Sequence, residues 1–290
     1  MIAQRTVKDK KKRKKPCIKN RFFPGKKRRR AVAKTVQLLY NGIALSRPVR
    51  KALCFYEGGL LVMPVPLTVL IADIAPLVSP SVWKTVYQEL PDRRKEAVDR
   101  LRLDRDKYLS AGAFYLLKIL WTRFFPGREM PQVSCDEMGK PYFPEESGVH
   151  FNLSHSGTKV MCVLSDGPVG CDLEERKKAN EKIASRFFSE KEKESLDRIP
   201  EGPPRENAFL DLWSLKESYV KAWGKGLRCP LSSFTVRAED RPVLADCPGD
   251  YPRAEFWKIT IEGYAGAVCR LGDRKDGPTV DSFSFSSVNG

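Results

Sequence analysis

Histidine is almost missing from this chain: His150 and His155 are the two in 290 residues. A metal centre built mainly from imidazole is thereby excluded. The eight cysteines (17, 54, 135, 162, 171, 229, 247 and 269) are scattered, with no C-x-x-C pair. That spacing gives neither a zinc site nor a disulfide framework, and reduced thiols in a cytosolic protein are expected. No apolar run approaches the roughly 20 residues that span a bilayer. No compact apolar segment with a small-residue cleavage site follows the basic N-terminus, so a secretory leader is not expected either. Acids are scarce at the start: residues 1–66 hold 19 lysines and arginines against Asp9 and Glu57 alone. Beyond them 33 basic residues meet 34 acidic ones. The net charge of +16 therefore belongs to the extension, and the body is nearly neutral.

What is present is globular in composition, with 41% hydrophobic and 10% aromatic residues. The segment "KDKKKRKKPCIKNRFFPGKKRRR" offers little to bury and is expected to be disordered. It suits nucleic-acid binding, an address signal, a solvated tail, or an upstream start with Met63 as the true one. Folded character begins near Leu67. "LTVLIADI" reads as a buried strand, and "SVWKTVYQEL…LLKILWTRF" as helices. "DEMGKPYF" carries turn signals and "FNLSHSG" reads as a loop. "KVMCVLS" and "VGCDLEE" read as strands, and "KIASRFFSEKEKESLDRI" as a helix. "SFTVRA", "EFWKITIE" and "GAVCRL" read as closing strands. This order lacks the regular alternation of a doubly wound sheet, so the fold class expected is α+β. Each half opens with a strand, continues in helices and ends in strands, a faint two-fold repeat.

Three stretches carry chemistry. In "PVGCDLEE", strand alternation puts Asp172 and Glu174 on one face and Cys171 and Leu173 on the other. Paired carboxylates need a cation or basic partners. Oxygen ligands suit a hard ion such as Mg²⁺, although a strand end entering solvent accounts for D-x-E equally well. In "FLDLWSLKESYVKAWGKGL", at about 100° per residue, Phe209, Leu212, Trp213, Val220 and Trp223 form one apolar stripe. Lys216 falls inside it, which suits a functional site or a snorkelling stem. Glu217 and Lys221, just outside the stripe, make an i, i+4 pair, and "GKG" ends the helix. In "NLSHSG", Ser154 and His155 suit an anion cradle or an ordinary turn. The first glycine of G-x-S-x-G is absent, which argues against a serine hydrolase.

Together "GKPYF", "FNLSHSG", "VGCDLE", "RFFSEKE", "WSLKESYVKAWGKGL" and "LSSFTV" resemble, in order and spacing, the Sfp-type 4′-phosphopantetheinyl transferases from about residue 67 onward. The resemblance implies an α+β pseudo-dimer of two similar α/β subdomains, 67–166 and 167–290, with the active site in the cleft between them. Residues 1–66 fall outside it. It implies Mg²⁺-dependent transfer of the 4′-phosphopantetheine arm of coenzyme A to a serine of an apo acyl or peptidyl carrier protein, with release of adenosine 3′,5′-bisphosphate. Mn²⁺ is an alternative ion. Asp172, Glu174 and Glu217 resemble the metal-binding acids. Glu217 also resembles the general base, directly or through a metal-bound water, and Lys221 the lysine on the pyrophosphate. Lys216 resembles a further CoA contact, Ser154 and His155 the 3′-phosphate pair, and Lys140 a residue of the adenine and phosphate pocket. Arg93 and Lys107 are the expected basic contacts among the candidates Arg93, Arg94, Arg100, Arg102 and Lys107. Cys171 stands where the family usually has a branched aliphatic residue. A cytoplasmic monomer serving fatty-acid, polyketide or nonribosomal-peptide synthesis is expected. The alternatives are a nucleic-acid-binding protein acting through its basic arm and a metal-dependent CoA phosphohydrolase.

Overall fold

The computed structural model describes residues 65–144, 148–177, 186–273 and 276–289. The basic extension read as disordered, Met63 included, lies outside the described residues except for Val65 and Pro66.

The first half opens with strand β1 (Thr68–Asp73). Helices α1 (Pro80–Gln88), α2 (Asp92–Asp99) and α3 (Asp104–Phe124) follow. In α3, Leu109, Ala113, Leu116, Leu117 and Leu120 are buried at helical spacing, the stripe a core-facing helix needs. The short strands β2 (Ser134–Cys135) and β3 (Pro141–Tyr142) pair as a hairpin. Its turn is "DEMGK": the Asp136 carboxylate accepts the N–H groups of Met138 and Lys140, and Gly139 takes a positive φ of 82°. Strands β4 (His150–Ser156) and β5 (Lys159–Ser165) complete this half.

The second half holds β6 (Val169–Glu175), α4 (Glu190–Asp197), α5 (Pro203–Trp223), β7 (Thr235–Arg237), β8 (Val243–Asp246), β9 (Ala254–Ile261) and β10 (Tyr264–Leu271). A final strand, β11 (Thr279–Ser284), pairs in parallel with β1. The chain's last strand thus returns to the first sheet. Among the described residues two main sheets result, ordered β11-β1-β5-β4 and β6-β10-β9.

Three apolar clusters stack these elements. One lies between α1–α3 and the first sheet, around Leu70, Leu117, Phe151 and Cys162. A second lies between the sheets, where Val69, Met161 and Val163 meet Cys171, Leu173 and Val268. A third lies between the second sheet and α5, with Leu215 and Tyr219 against Ala265, Ala267 and Cys269. The layers run helices, sheet, sheet, helix, and each half packs one 21-residue helix on its sheet. This is the expected α+β architecture.

Two local readings are corrected. "FNLSHSG" is strand rather than loop up to Ser156. Its polar residues alternate with Phe151 and Leu153, and they face another sheet edge instead of an apolar core, which hides the strand pattern. In "RFFSEKEK", Ser189 interrupts the helix. Its hydroxyl accepts from the Glu192 N–H while Glu192 accepts from the Ser189 N–H, a capping box that starts α4 at Glu190.

Candidate active site

Helix α5 starts at two prolines after Gly202 and ends where Gly224 takes a left-handed φ of 76°, a conformation glycine adopts without strain. Between those ends it lies directly on the backbone of β6. A Cβ on Gly170 would overlap the Ser218 carbonyl and the Ala222 nitrogen. That close approach brings the last turns of α5 to the face of β6 that carries Asp172 and Glu174.

Lys221 Nζ lies 2.5 Å from Asp172 Oδ1. Ser154 Oγ of β4 also donates to Asp172 Oδ1, at 3.3 Å, and lies 3.4 Å from Lys221 Nζ. Glu174 is held from both sides: Trp213 Nε1 of α5 donates to Oε1 at 3.2 Å, and Ser156 Oγ of β4 to Oε2 at 3.4 Å. Burial raises the pKa of the Asp172 carboxyl against the pull of Lys221 and Ser154. Burial and then the Asp172 charge raise both Glu174 and Glu217. Burial alone would lower Lys221, but the charge of Asp172 and its hydrogen bond outweigh that and hold the ammonium above the ordinary lysine value. One cation thus faces three interacting carboxylates.

The acids fit a hard divalent cation. They offer only oxygen, and Asp172 Oδ2 is buried with no hydrogen-bond partner. Among the described residues no three His, Cys, Asp or Glu side chains stand at ligand spacing. In this arrangement Lys221 takes the counter-ion's place on Asp172.

Other expected site residues lie elsewhere. Strand parity sends His155 to the opposite face from Ser154. His155 is exposed at the surface yet partly desolvated, and that desolvation, first of all causes, lowers its pKa, with the charge of Lys221 next and those of Asp106 and Arg94 behind it. The side chains of Ser154 and His155 therefore leave the strand on opposite faces. Arg93 is exposed, and Lys107 forms an ion pair with Asp104 at 3.3 Å. Arg94 is one of the cations whose charge acts on His155, behind the larger effect of Lys221. Its guanidinium donates to Ser110 O and Oγ and lies over the Phe114 ring, and its Nε is buried without a partner. Lys140 donates to Ala222 O at 2.9 Å and Val169 O at 3.4 Å, where a cation complements a helix C-terminus. Burial brings its pKa down to about 8, and its charge acts on His150.

Lys216 requires a correction. Its side chain is fully buried, and the ammonium contacts both carboxylate oxygens of Glu192 at 2.7 Å and Phe234 O at 2.6 Å. Burial lowers it to about 8 against the opposing pull of Glu192. The lysine that breaks the apolar stripe is committed to the second half's core and does not reach the Asp172 cluster. Trp213, Asn152 and Ser156 were not singled out from the sequence. Trp213 reads there as core, and the i, i+2, i+4 signal of Asn152, Ser154 and Ser156 shows only once the segment is known to be a strand.

Residues 168–269 match the family model of the 4′-phosphopantetheinyl transferase superfamily. The chain is 39% identical over 138 residues to the 4′-phosphopantetheinyl transferase Sfp of Bacillus subtilis (strain 168), a match covering 47% of this chain and 61% of that one. It is 40% identical over 139 residues to the 4′-phosphopantetheinyl transferase ffp of Bacillus subtilis, with 47% and 61% covered. It is 40% identical over 98 residues to the 4′-phosphopantetheinyl transferase AcpT of Escherichia coli (strain K12), with 33% and 50% covered. The chain thus spans between half and three-fifths of these relatives' length. Nothing in these matches supports the nucleic-acid or phosphohydrolase alternative. The resemblance read from the motifs is borne out: the chain is similar to the Sfp-type 4′-phosphopantetheinyl transferases, and residues 168–269 match their superfamily.

Proposed function

We propose that the protein transfers the 4′-phosphopantetheine arm of coenzyme A to a serine of an apo acyl or peptidyl carrier protein. The observation that carries this reading is the convergence of Asp172, Glu174, Glu217 and Lys221 where β6, β4 and α5 meet, with one carboxylate oxygen buried and unpartnered. Asp172, Glu174 and Glu217 would hold Mg²⁺, or Mn²⁺, which when bound neutralises charge on the pyrophosphate.

Glu217 accepts the proton of the carrier serine hydroxyl, as a carboxylate lying by Asp172 and Lys221 can. The serine oxygen bonds to the phosphorus that carries pantetheine, and the bond from that phosphorus to the bridging oxygen breaks. The electron pair leaves with adenosine 3′,5′-bisphosphate. Lys221, protonated and fixed by Asp172 and Ser154, meets the negative charge that develops on the leaving group. His155 donates to the 3′-phosphate, with the charge of Arg94 acting on it. Arg93 and Lys107 are assigned as outer contacts of that phosphate. Lys140, its ammonium tied to α5, contributes its stem to the nucleotide end of the pocket.

Residues 67–166 and 167–290 are proposed as the two subdomains, with β11 crossing back to the first. A cytoplasmic monomer is proposed, acting on carriers of fatty-acid, polyketide or nonribosomal-peptide synthesis. Among the described residues no helix is long and apolar enough to cross a membrane. The test is a panel of apo-carriers incubated with CoA and Mg²⁺, read by mass. The expected result is a phosphopantetheine adduct on a carrier serine. Release of phosphopantetheine from CoA with every carrier left unmodified refutes transfer and points to hydrolysis.

A further inference from the structure

Strand β4 is one edge of the first sheet and β6 one edge of the second. The two edges face each other without pairing, yet two of β6's outward N–H groups find acceptors on β4. Asn152 Oδ1 accepts the Cys171 N–H at 2.9 Å, and Ser156 Oγ accepts the Glu175 N–H at 3.0 Å. Between them Ser154 Oγ donates to Asp172 Oδ1. Ser156 Oγ, having accepted from the backbone, donates to Glu174 Oε2. Three side chains at i, i+2 and i+4 of one strand thus hold both the backbone and the carboxylates of the other. Side-chain oxygens substitute for the missing partner strand of an open edge.

We propose that Asn152 and Ser156 are positioning residues. From the first half they fix the edge of β6 so that Asp172 and Glu174 present their oxygens to a divalent cation. The inference rests on the reading of those acids as cation ligands. Asn152 sets the strand on the N-terminal side of Asp172, and Ser156 sets both the strand and the carboxylate at Glu174. Neither residue touches substrate. Their effect is on cation affinity and thence on turnover, whereas CoA binding at the His155 face is independent of them.

The experiment measures Mn²⁺ binding to the full chain by the electron paramagnetic resonance of free Mn²⁺, without CoA, beside carrier labelling across Mg²⁺ concentrations. Ser156→Thr and Ser156→Val are compared, because both are β-branched strand formers that differ only in the hydroxyl. The valine variant is expected to bind Mn²⁺ about tenfold more weakly, as losses in the shell behind metal ligands do. Its labelling should recover at high Mg²⁺, with CoA affinity within about twofold of wild type, where tenfold is 1.4 kcal/mol. The threonine variant should match wild type. Asn152→Ala should show the same cation-specific loss. Equal Mn²⁺ affinity in the valine and threonine variants, or a loss no larger than the unfolded fraction seen by circular dichroism, overturns the inference alone. A wild-type chain that binds no Mn²⁺ overturns the cation-ligand reading and the inference together.

Discussion

Lys216 and Glu192 form an ion pair that water does not reach: the side chains are 0% and 1% exposed, and Nζ lies 2.7 Å from each carboxylate oxygen. Glu192 also accepts the Val236 N–H at 2.7 Å and the Ser189 N–H at 2.8 Å. One carboxylate therefore ties α5, the start of α4 and β7 together. Removing one partner strands the other charge in the core. Lys216→Met alone is expected to cost about 3–5 kcal/mol. The double change Lys216→Met with Glu192→Leu should recover most of that, since a hydrophobic replacement of both partners is often neutral. Denaturant unfolding of the three variants measures it. A CoA dissociation constant that rises in the folded double variant would restore the ammonium to the phosphate site.

Gly170→Ala is expected to damage both stability and activity, because the new methyl has no space between β6 and the backbone of α5. Overpacking of this kind costs about 1–3 kcal/mol or more. Lifting α5 separates Lys221 from Asp172, so labelling should fall further than the folded fraction does. Unfolding and labelling measured on one preparation separate the two effects.

Glu217→Gln is expected to abolish labelling while leaving the cation-free protein as stable as wild type or more so. Burial and the neighbouring Asp172 charge make the Glu217 carboxylate unfavourable in the fold, and the amide relieves both. Mg²⁺ should raise the melting temperature of wild type, as any ligand of the native state does, and raise that of the variant less. Retained turnover in the variant excludes Glu217 as base.

Acidification should destabilise the protein through its two imidazoles. Both imidazoles are exposed at the surface, and partial desolvation, first of all causes, holds His150 and His155 below the ordinary value of 6.5, so the effect on stability is small. As pH falls past 6.5 the unfolded chain takes up protons that the fold refuses, so stability drops as pH decreases through that window. The raised acids Asp172, Glu174 and Glu217 act with the opposite sign. Comparing unfolding at pH 7.5 and 5.5 in wild type and in His150→Gln/His155→Gln isolates the imidazole part. The double variant should be less sensitive to pH.

His155→Ala is expected to raise the KM for CoA about tenfold, close to 1.4 kcal/mol, with kcat nearly unchanged. An equal loss of kcat at saturating CoA would remove His155 from phosphate binding.

The sequence by itself determined the elements whose pattern is local. Alternation in "VGCDLEE" put Asp172 and Glu174 on one face, and the apolar stripe and "GKG" located α5 and its end. The motif order singled out Asp172, Glu174, Glu217 and Lys221 as the candidates. Only the tertiary structure decided partners. The place of Lys216 inside the apolar stripe was legible, but its carboxylate sits 24 residues away on another helix. Ser154 and His155 are neighbours in sequence, yet β4's pleat sends one to Asp172 and the other to the opposite face. Nothing local marks Thr279–Ser284 as the partner of β1. Side-chain direction follows from short-range backbone geometry, which a sequence encodes residue by residue. Which charge meets which depends on how separate layers stack, and that is set by burial of the whole core rather than by any one segment.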